Sequence, residues 1–199
     1  DIVINEIDTL VNYDFVKKKY KENHKQINFI RIGTSGSISK NIPINSFLIS
    51  KYAIDLNSQL SFYDLENYKN DKIFKLPYDS QKFFYCIKCS ESLYEKFNSK
   101  LINSGITATC NGFYSFQGRK TRIPLETLIN YDDLDKLSFE NDNITNLEME
   151  TAIIYGLANF LNHNAISLNA ILANRKHDSY SSDPSIVIDI LIKYTLDRI

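Results

Sequence analysis

Residues 165–173 read Ala-Ile-Ser-Leu-Asn-Ala-Ile-Leu-Ala, a near-continuous apolar run too short to span a membrane and too unbroken for a strand with one face in water. Such a run belongs to a central strand covered on both faces, and sheets of that kind alternate strands with helical crossovers. The same grammar recurs along the chain. Ile27-Asn28-Phe29-Ile30-Arg31-Ile32 is β-branched and aromatic and stops at Gly33; residues 46–54 follow the turn at Pro43, residues 82–89 are again strand-like, and residues 105–109 form a further short run. Helical patterns lie between them. Val3, Ile7, Leu10 and Val11 share one face of a helix leading to Lys17-Lys18-Lys19, whose charges suit a helix carboxyl end. Ser90-Glu91 opens a second helix through Leu93 and Phe97 to Leu101, residues 125–137 a third, and Ile153, Leu157, Phe160 and Leu161 mark a fourth. The last has Ser182 or Asp183 as cap, Pro184 in its first turn, and Val187, Ile190, Leu191 and Tyr194 on one face. The pattern predicts a three-layer α/β/α sandwich around a central mixed sheet. Residues 55–80 lack a clear period and are broken by Pro77, and read as a long excursion near a binding site.

Composition narrows the function. With 23 Lys+Arg against 24 Asp+Glu in 199 residues, and 43% hydrophobic residues, the chain is neither disordered nor basic enough to hold a nucleic-acid backbone. Small molecules or proteins are the expected partners. No charged-then-apolar leader opens the sequence, and we expect a cytoplasmic protein. Three cysteines, Cys86, Cys89 and Cys110, fit a reducing compartment rather than a disulfide framework. Cys86-Ile87-Lys88-Cys89 has half-zinc spacing, but zinc needs four converging ligands and His24, His163 and His177 are scattered, so the pair reads as a strand and its exit, with no metal. The only methionine is Met149, and the chain opens inside an amphipathic pattern. We therefore expect residues 1–199 to be a single domain truncated at its amino end.

Three segments carry candidate chemistry. Gly33-Thr34-Ser35-Gly36-Ser37 follows a strand, so its backbone amides can approach an anion, and Arg31 adds a bidentate fork for phosphate. It also nearly matches a Gly-x-Ser-x-Gly nucleophile elbow, but Ser37 replaces the last glycine and residues 38–45 with Pro43 do not look like the helix an elbow requires; taken alone, the segment reads first as a plain tight turn. The loop Phe113-Tyr114-Ser115-Phe116-Gln117-Gly118-Arg119 offers a ring to stack on, an amide with one donor and one acceptor, and a cation, as a planar heterocycle with an O=C–N–H edge requires; the alternative is an exposed loop with incidental aromatics. Glu148-Met149-Glu150 sets two carboxylate acceptors around a soft thioether, suited to sugar hydroxyls and a ribose face, or simply to a helix amino terminus.

In this order the segments resemble the nucleoside phosphorylases, most closely the uridine phosphorylase branch. The resemblance rests on Arg31-Ile32-Gly33-Thr34-Ser35-Gly36, on Gly105-Ile106-Thr107-Ala108 leading to Phe113-Tyr114-x-x-Gln117-x-Arg119, on Asn146-Leu147-Glu148-Met149-Glu150 and on Ile171-Leu172-Ala173-Asn174-Arg175. It implies that Arg31 and Thr34 hold phosphate, with Thr34 also near the ribose. It places Ser35, Gly36 and Phe113 around the base, with Gln117 and Arg119 on its polar edge and Arg175 reaching the uracil 4-oxygen. Glu148, Met149 and Glu150 match the ribose motif, with Glu150 on the sugar hydroxyls. Arg31, Gln117 and Arg119 are the expected catalytic groups.

The implied activity is phosphate-dependent cleavage of uridine to uracil and ribose 1-phosphate, a pentosyl transfer in pyrimidine salvage that needs no cofactor beyond phosphate as substrate. Purine-specific relatives typically carry an aspartate where this chain has Asn174-Arg175, which favours a pyrimidine. Other nucleoside specificities, and a non-catalytic nucleoside-binding module, are the alternatives. The resemblance further implies a homodimer or a hexamer of dimers. Members of the family also carry an earlier Gly-Asp-Pro-x-Arg phosphate loop, a further arginine and a histidine lent to a neighbouring subunit, and none of these is in this sequence.

Overall fold

The chain opens with α1 (Ile2–Asn12) in the computed structural model, which describes residues 1–64, 73–77, 83–119, 121–124, 134 and 137–199. The helix stops well before the lysines expected at its end. Asp14 Oδ1 accepts the amides of Val16 and Lys17, and the turn joins β1 (Tyr13–Asp14) to β2 (Lys19–Tyr20) with Lys18 left-handed at φ 51°. Lys17-Lys18-Lys19 thus lies at a hairpin tip, because an aspartate placed to bind the amides ahead of it ends the helical pattern.

The chain continues through β3 (Asn28–Ser37), β4 (Phe47–Asp55), a 3-10 turn at Gln59–Phe62, β5 (Ile73–Pro77), β6 (Phe83–Lys88), α2 (Glu91–Phe97) and β7 (Asn103–Thr109). It ends with β8 (Ser138–Phe139), β9 (Asp142–Glu148), α3 (Thr151–Phe160), β10 (Asn164–Asn174), β11 (Ser179–Tyr180) and α4 (Pro184–Leu196). The expected alternation of strands and helices holds. The helix expected at 125–137 lies almost wholly outside the described residues.

The sheet is mixed. β10 pairs in parallel with β3 and, at Leu168, Asn169 and Ala170, antiparallel with the first residues of β4. β4 runs parallel to β7, and β7 parallel to β9. β9 returns to β3 through Gly36–Leu147 and Ser37–Asn146. Strands β3, β9, β7, β4 and β10 therefore close into a ring, from which β6 and β5 extend on one side and β11 on the other.

Further expectations change. Residues 33–37 are not a loop: β3 continues through them because Asn169, Ala170, Ile171, Ala173 and Asn174 of β10 keep pairing beyond Gly33. Residues 55–80 are not only an excursion, since β5 pairs with β6 at the sheet edge, with Pro77 in its last position where a missing N–H is tolerated. The second helix also ends at Phe97, short of Leu101.

Helices flank the sheet. Ile4 of α1 and Ala152, Ile153, Leu157 and Ala158 of α3 pack with Ala53, Ile87 and Cys89. On another face Leu93 and Phe97 of α2 and Val187, Leu191 and Tyr194 of α4 pack with Ile49, Ile166, Leu168 and Ala170. Asp183 caps α4 by accepting the Ile186 amide, and Pro184 follows it. Cys86 belongs to a third cluster with Ile38, Tyr52 and Ile106, so the two cysteines of the CxxC face different packing groups; all three thiols are free and buried.

The ring interior is polar. Ser35 and Ser37 of β3, Ser50 of β4, Thr107 of β7, Asn146 of β9, and Ser167 and Asn169 of β10 are all buried. Alternation along each strand brings them together; Asn169, Ser50, Thr107, Asn146 and Ser35 hydrogen-bond to one another, Ser37 reaches the Thr145 carbonyl, and Ser167 meets Arg31 and Thr151.

Candidate active site

At one end of the ring the strands open on a cavity of about 500 Å³. Its walls include Arg31, Thr34, Ser35 and Gly36 of β3, Phe113, Gln117 and Arg119 of the following loop, and Glu148, Met149 and Glu150 at the junction of β9 with α3. The three segments singled out in the sequence meet here. Arg175 stands directly behind this wall, its Nη1 donating to Gln117 O at 2.7 Å and its Nη2 to Gln117 Oε1 at 2.6 Å.

Arg31 has only 14% of its side chain exposed and is held on both edges. Nη1 donates to Ser167 Oγ at 3.2 Å and to Asn169 Oδ1 at 3.1 Å. Nη2 donates to Glu150 Oε2 at 2.6 Å and lies 3.3 Å from Glu148 Oε2.

The two carboxylates differ. Glu148 is 1% exposed at its side chain, and both its oxygens are committed: Oε1 accepts Thr109 Oγ1, and Oε2 accepts the amides of Glu150 and Thr151 and the Thr151 hydroxyl. Lying beside the amino terminus of α3, it satisfies amides that a helix start leaves unpaired. Glu150, with 53% of its side chain exposed, is the carboxylate presented to the cavity. The resemblance sets Glu150 on the sugar hydroxyls, while nothing in the sequence marks Glu148 as the buried one of the pair.

The loop end is built from guanidinium groups. Arg119 lies with Cζ 3.6 Å from the centre of the Phe113 ring, and its Nη1 donates to Phe113 O at 2.6 Å and also to Gln117 Oε1. Gln117 is buried, and its amide oxygen receives both Arg119 and Arg175. The amide therefore presents its NH2 as a donor, rather than both a donor and an acceptor as expected. Phe113 remains 48% exposed.

Ser35 is no nucleophile. It sits within a strand, its hydroxyl donating to Leu147 O at 2.9 Å and accepting Asn146 Nδ2 at 2.6 Å. A nucleophile elbow needs a strand-to-helix turn and a base on the hydroxyl, and neither is present. Gly36 leaves the cavity open: a Cβ there would come only within ordinary contact, 3.9 Å, of Ala173 and Arg175 Nε. Asn174 turns away, its Nδ2 donating to Ser39 O and Ile42 O, so of the Asn174-Arg175 pair only Arg175 reaches the wall.

Gly33, Leu147, Leu172 and Ala173, which the quoted motifs contain without a role, also line the cavity, as does Tyr180, which no motif contains. Tyr180 arrives because β11 folds back on β10 and pairs it with Ala173. Its surroundings, Asp178-Ser179-Tyr180-Ser181-Ser182, carry no sequence signal beyond that of a turn. Beneath the site, burial raises the Tyr155 phenol well above its ordinary pKa; it stays protonated, donates to Ser50 O at 2.6 Å and accepts the Ser167 amide.

A family model described as the phosphorylase superfamily matches residues 22–186. A uridine phosphorylase of Thermococcus kodakarensis is 31% identical over 150 residues, covering 74% of this chain and 48% of that protein. One of Haemophilus influenzae is 25% identical over 160 residues, covering 79% and 58%. The chain thus spans about half the length of these curated relatives. Among solved structures, a Trypanosoma brucei nucleoside phosphorylase described as showing uridine phosphorylase activity superposes with a TM-score of 0.81 at 20% identity, over 99% of this chain and 75% of that one. A Schistosoma mansoni uridine phosphorylase in complex with uracil superposes at 0.62 with 20% identity, over 98% and 64%. These likenesses show the fold.

Proposed function

The chain belongs to the phosphorylase superfamily, and on that premise we propose that its cavity serves the phosphorolysis of uridine to uracil and ribose 1-phosphate. The observation that carries the reading is the convergence of three chemistries on one cavity: a cation beside small residues, a carboxylate beside a thioether, and an aromatic–amide–guanidinium loop. The curated relatives named uridine phosphorylase support the choice of nucleoside.

In this reading phosphate takes the exposed edge of Arg31 and the Thr34 hydroxyl. Glu150 leaves Arg31 to accept the ribose hydroxyls, Met149 lies against the sugar, and Glu148 holds the turn that presents both. Uracil stacks on Phe113 over Ser35 and Gly36, with the Gln117 NH2 and Arg119 on its oxygens and Arg175 behind them. Phosphate attacks C1′ as the glycosidic bond breaks, so positive charge grows on the sugar and negative charge on the departing base. The phosphate held by Arg31 faces the first, and the Arg119–Gln117–Arg175 group stabilises the second. Catalysis is then electrostatic and positional, with phosphate as co-substrate and no cofactor.

The three buried free thiols support a reducing, cytoplasmic setting. Apolar groups exposed at the cavity rim, Phe113 and Tyr180, support a homo-oligomer in which a neighbouring subunit covers the site. The test is uracil release from uridine with and without phosphate in the natural full-length protein, against thymidine and inosine. Preference for uridine is expected; equal turnover of inosine would replace the pyrimidine assignment, and uridine binding without release would indicate a binding module.

A further inference from the structure

Asn169 is fully buried inside the strand ring, with its amide oxygen accepting Arg31 Nη1 at 3.1 Å. Its Nδ2 donates to Ser50 Oγ at 2.9 Å and to Leu48 O at 3.3 Å. The amide has one tolerable orientation. Reversed, it would set an NH2 against the guanidinium and an oxygen against a carbonyl.

The hydrogen bonds continue beyond it in one sense. Thr107 donates its single hydroxyl hydrogen to Asn146 Oδ1 at 2.9 Å, so in the 2.5 Å contact between Ser50 and Thr107 the donor is Ser50. Asn146 Nδ2 donates to Ser35 Oγ, and Ser35 to Leu147 O. From Arg31 through Asn169, Ser50, Thr107 and Asn146 to Ser35, each group donates to the next. Aligned buried chains of this kind reinforce one another and resist reorientation.

We propose that Asn169 is the positioning residue for Arg31, aiming its outer edge at the phosphate site. The proposal rests on the reading of Arg31 as a phosphate ligand. A guanidinium is planar, so tying Nη1 to Asn169 inside the ring sets the direction in which Nη2 faces the cavity. Ser167, at 3.2 Å, shares the inner edge through a hydroxyl that also meets Thr151 Oγ1 at 2.9 Å. Asn169 is distinct in having both its amide donors engaged elsewhere, which leaves its oxygen no other direction.

The experiment compares Asn169→Ala and Asn169→Ser in the natural full-length protein, each alone and combined with Arg31→Lys. Inorganic phosphate binding is read by calorimetry, and KM for phosphate and for uridine by uracil release. The shorter serine cannot span to Arg31 but keeps a polar group beside Ser50, and it serves where the alanine variant does not fold. Loss of one hydrogen bond to a charged group predicts phosphate binding weaker by about tenfold or more, KM for uridine changed by less than about twofold, and no further loss on the Arg31→Lys background, since an ammonium has no second edge to aim. Equal rises in both KM values, unchanged phosphate binding, or the same loss in the Arg31→Lys background would each overturn the proposal. Absence of phosphate-dependent uracil release from the unsubstituted protein would instead overturn the functional reading on which it rests.

Discussion

The guanidinium of Arg31 lies in the space that a side chain at Gly33 would occupy. The two residues point to the same face of β3 two positions apart, and a Cβ at Gly33 would run into the Arg31 guanidinium. Gly33 is therefore glycine because its neighbour's charge needs the room, not because the backbone turns there.

Gly33→Ala is accordingly expected to displace Arg31 without unfolding the protein, since the obstructing group is the far end of a flexible side chain. Glycine inside a strand costs about 0.5–1 kcal/mol relative to alanine, which offsets only part of what Arg31 loses with its buried partners, so the thermal midpoint should fall modestly. Phosphate affinity should fall about tenfold or more with the displaced hydrogen bonds. Calorimetric titration of phosphate beside a thermal melt checks both; intact phosphate binding would contradict the displacement of Arg31.

Arg31 and Glu150 form an ion pair at 2.6 Å. In the proposed assignment each substrate takes one partner from the other. Glu150→Gln removes this internal competitor, and because Glu150 is half exposed the gain in phosphate affinity is small, about two- to fivefold. KM for uridine should move the opposite way, by about tenfold, as a charged acceptor for the ribose hydroxyls is lost. Opposed shifts in the two constants are the signature to measure; parallel shifts would rule out the competition.

Glu148→Ala should be a stability variant rather than a binding variant. Its removal leaves the Thr109 and Thr151 hydroxyls and two amides at the start of α3 without their acceptor, beside a mostly buried Arg31. Removing one partner of a buried, hydrogen-bonded pair costs about 3 kcal/mol, readable as a shifted urea midpoint with unchanged slope. A midpoint within error of the parent would contradict this role.

Burial pushes the Cys86, Cys89 and Cys110 thiols up to about 12 from 9.0. Below pH 9 folded and unfolded chains both keep these protons, and the thiols have no effect on the pH dependence. Between pH 9 and 12 the unfolded chain gives them up while the folded chain holds them, so stability falls as pH rises. A thiol reagent at pH 8 should find no reactive cysteine in the folded protein and all three in denaturant. Ready labelling of the native protein would contradict the packing.

The alternation of strands and helices was legible because apolar periodicity reports burial directly. The convergence of Arg31, Phe113, Gln117 and Glu150 was legible only through their order along the chain, since nothing local says that residues 31, 117 and 150 meet. Small residues at 33–37 read as a loop, yet partners on β10 carry β3 through them, a tertiary pairing that overrides local propensity. Ser167 and Asn169, within the run taken as apolar at 165–173, are part of a polar interior built from five strands, a pattern with no one-dimensional signature. Tyr180 reaches the cavity through a two-residue strand too short to show any period.

In the proposed reaction phosphate, and not water, receives the ribose. Phosphorus NMR of the natural full-length protein with uridine and inorganic phosphate should show a sugar 1-phosphate resonance growing in step with free uracil, and no uracil when phosphate is omitted. Uracil appearing with free ribose, at a rate indifferent to phosphate, would contradict the account and make the site hydrolytic.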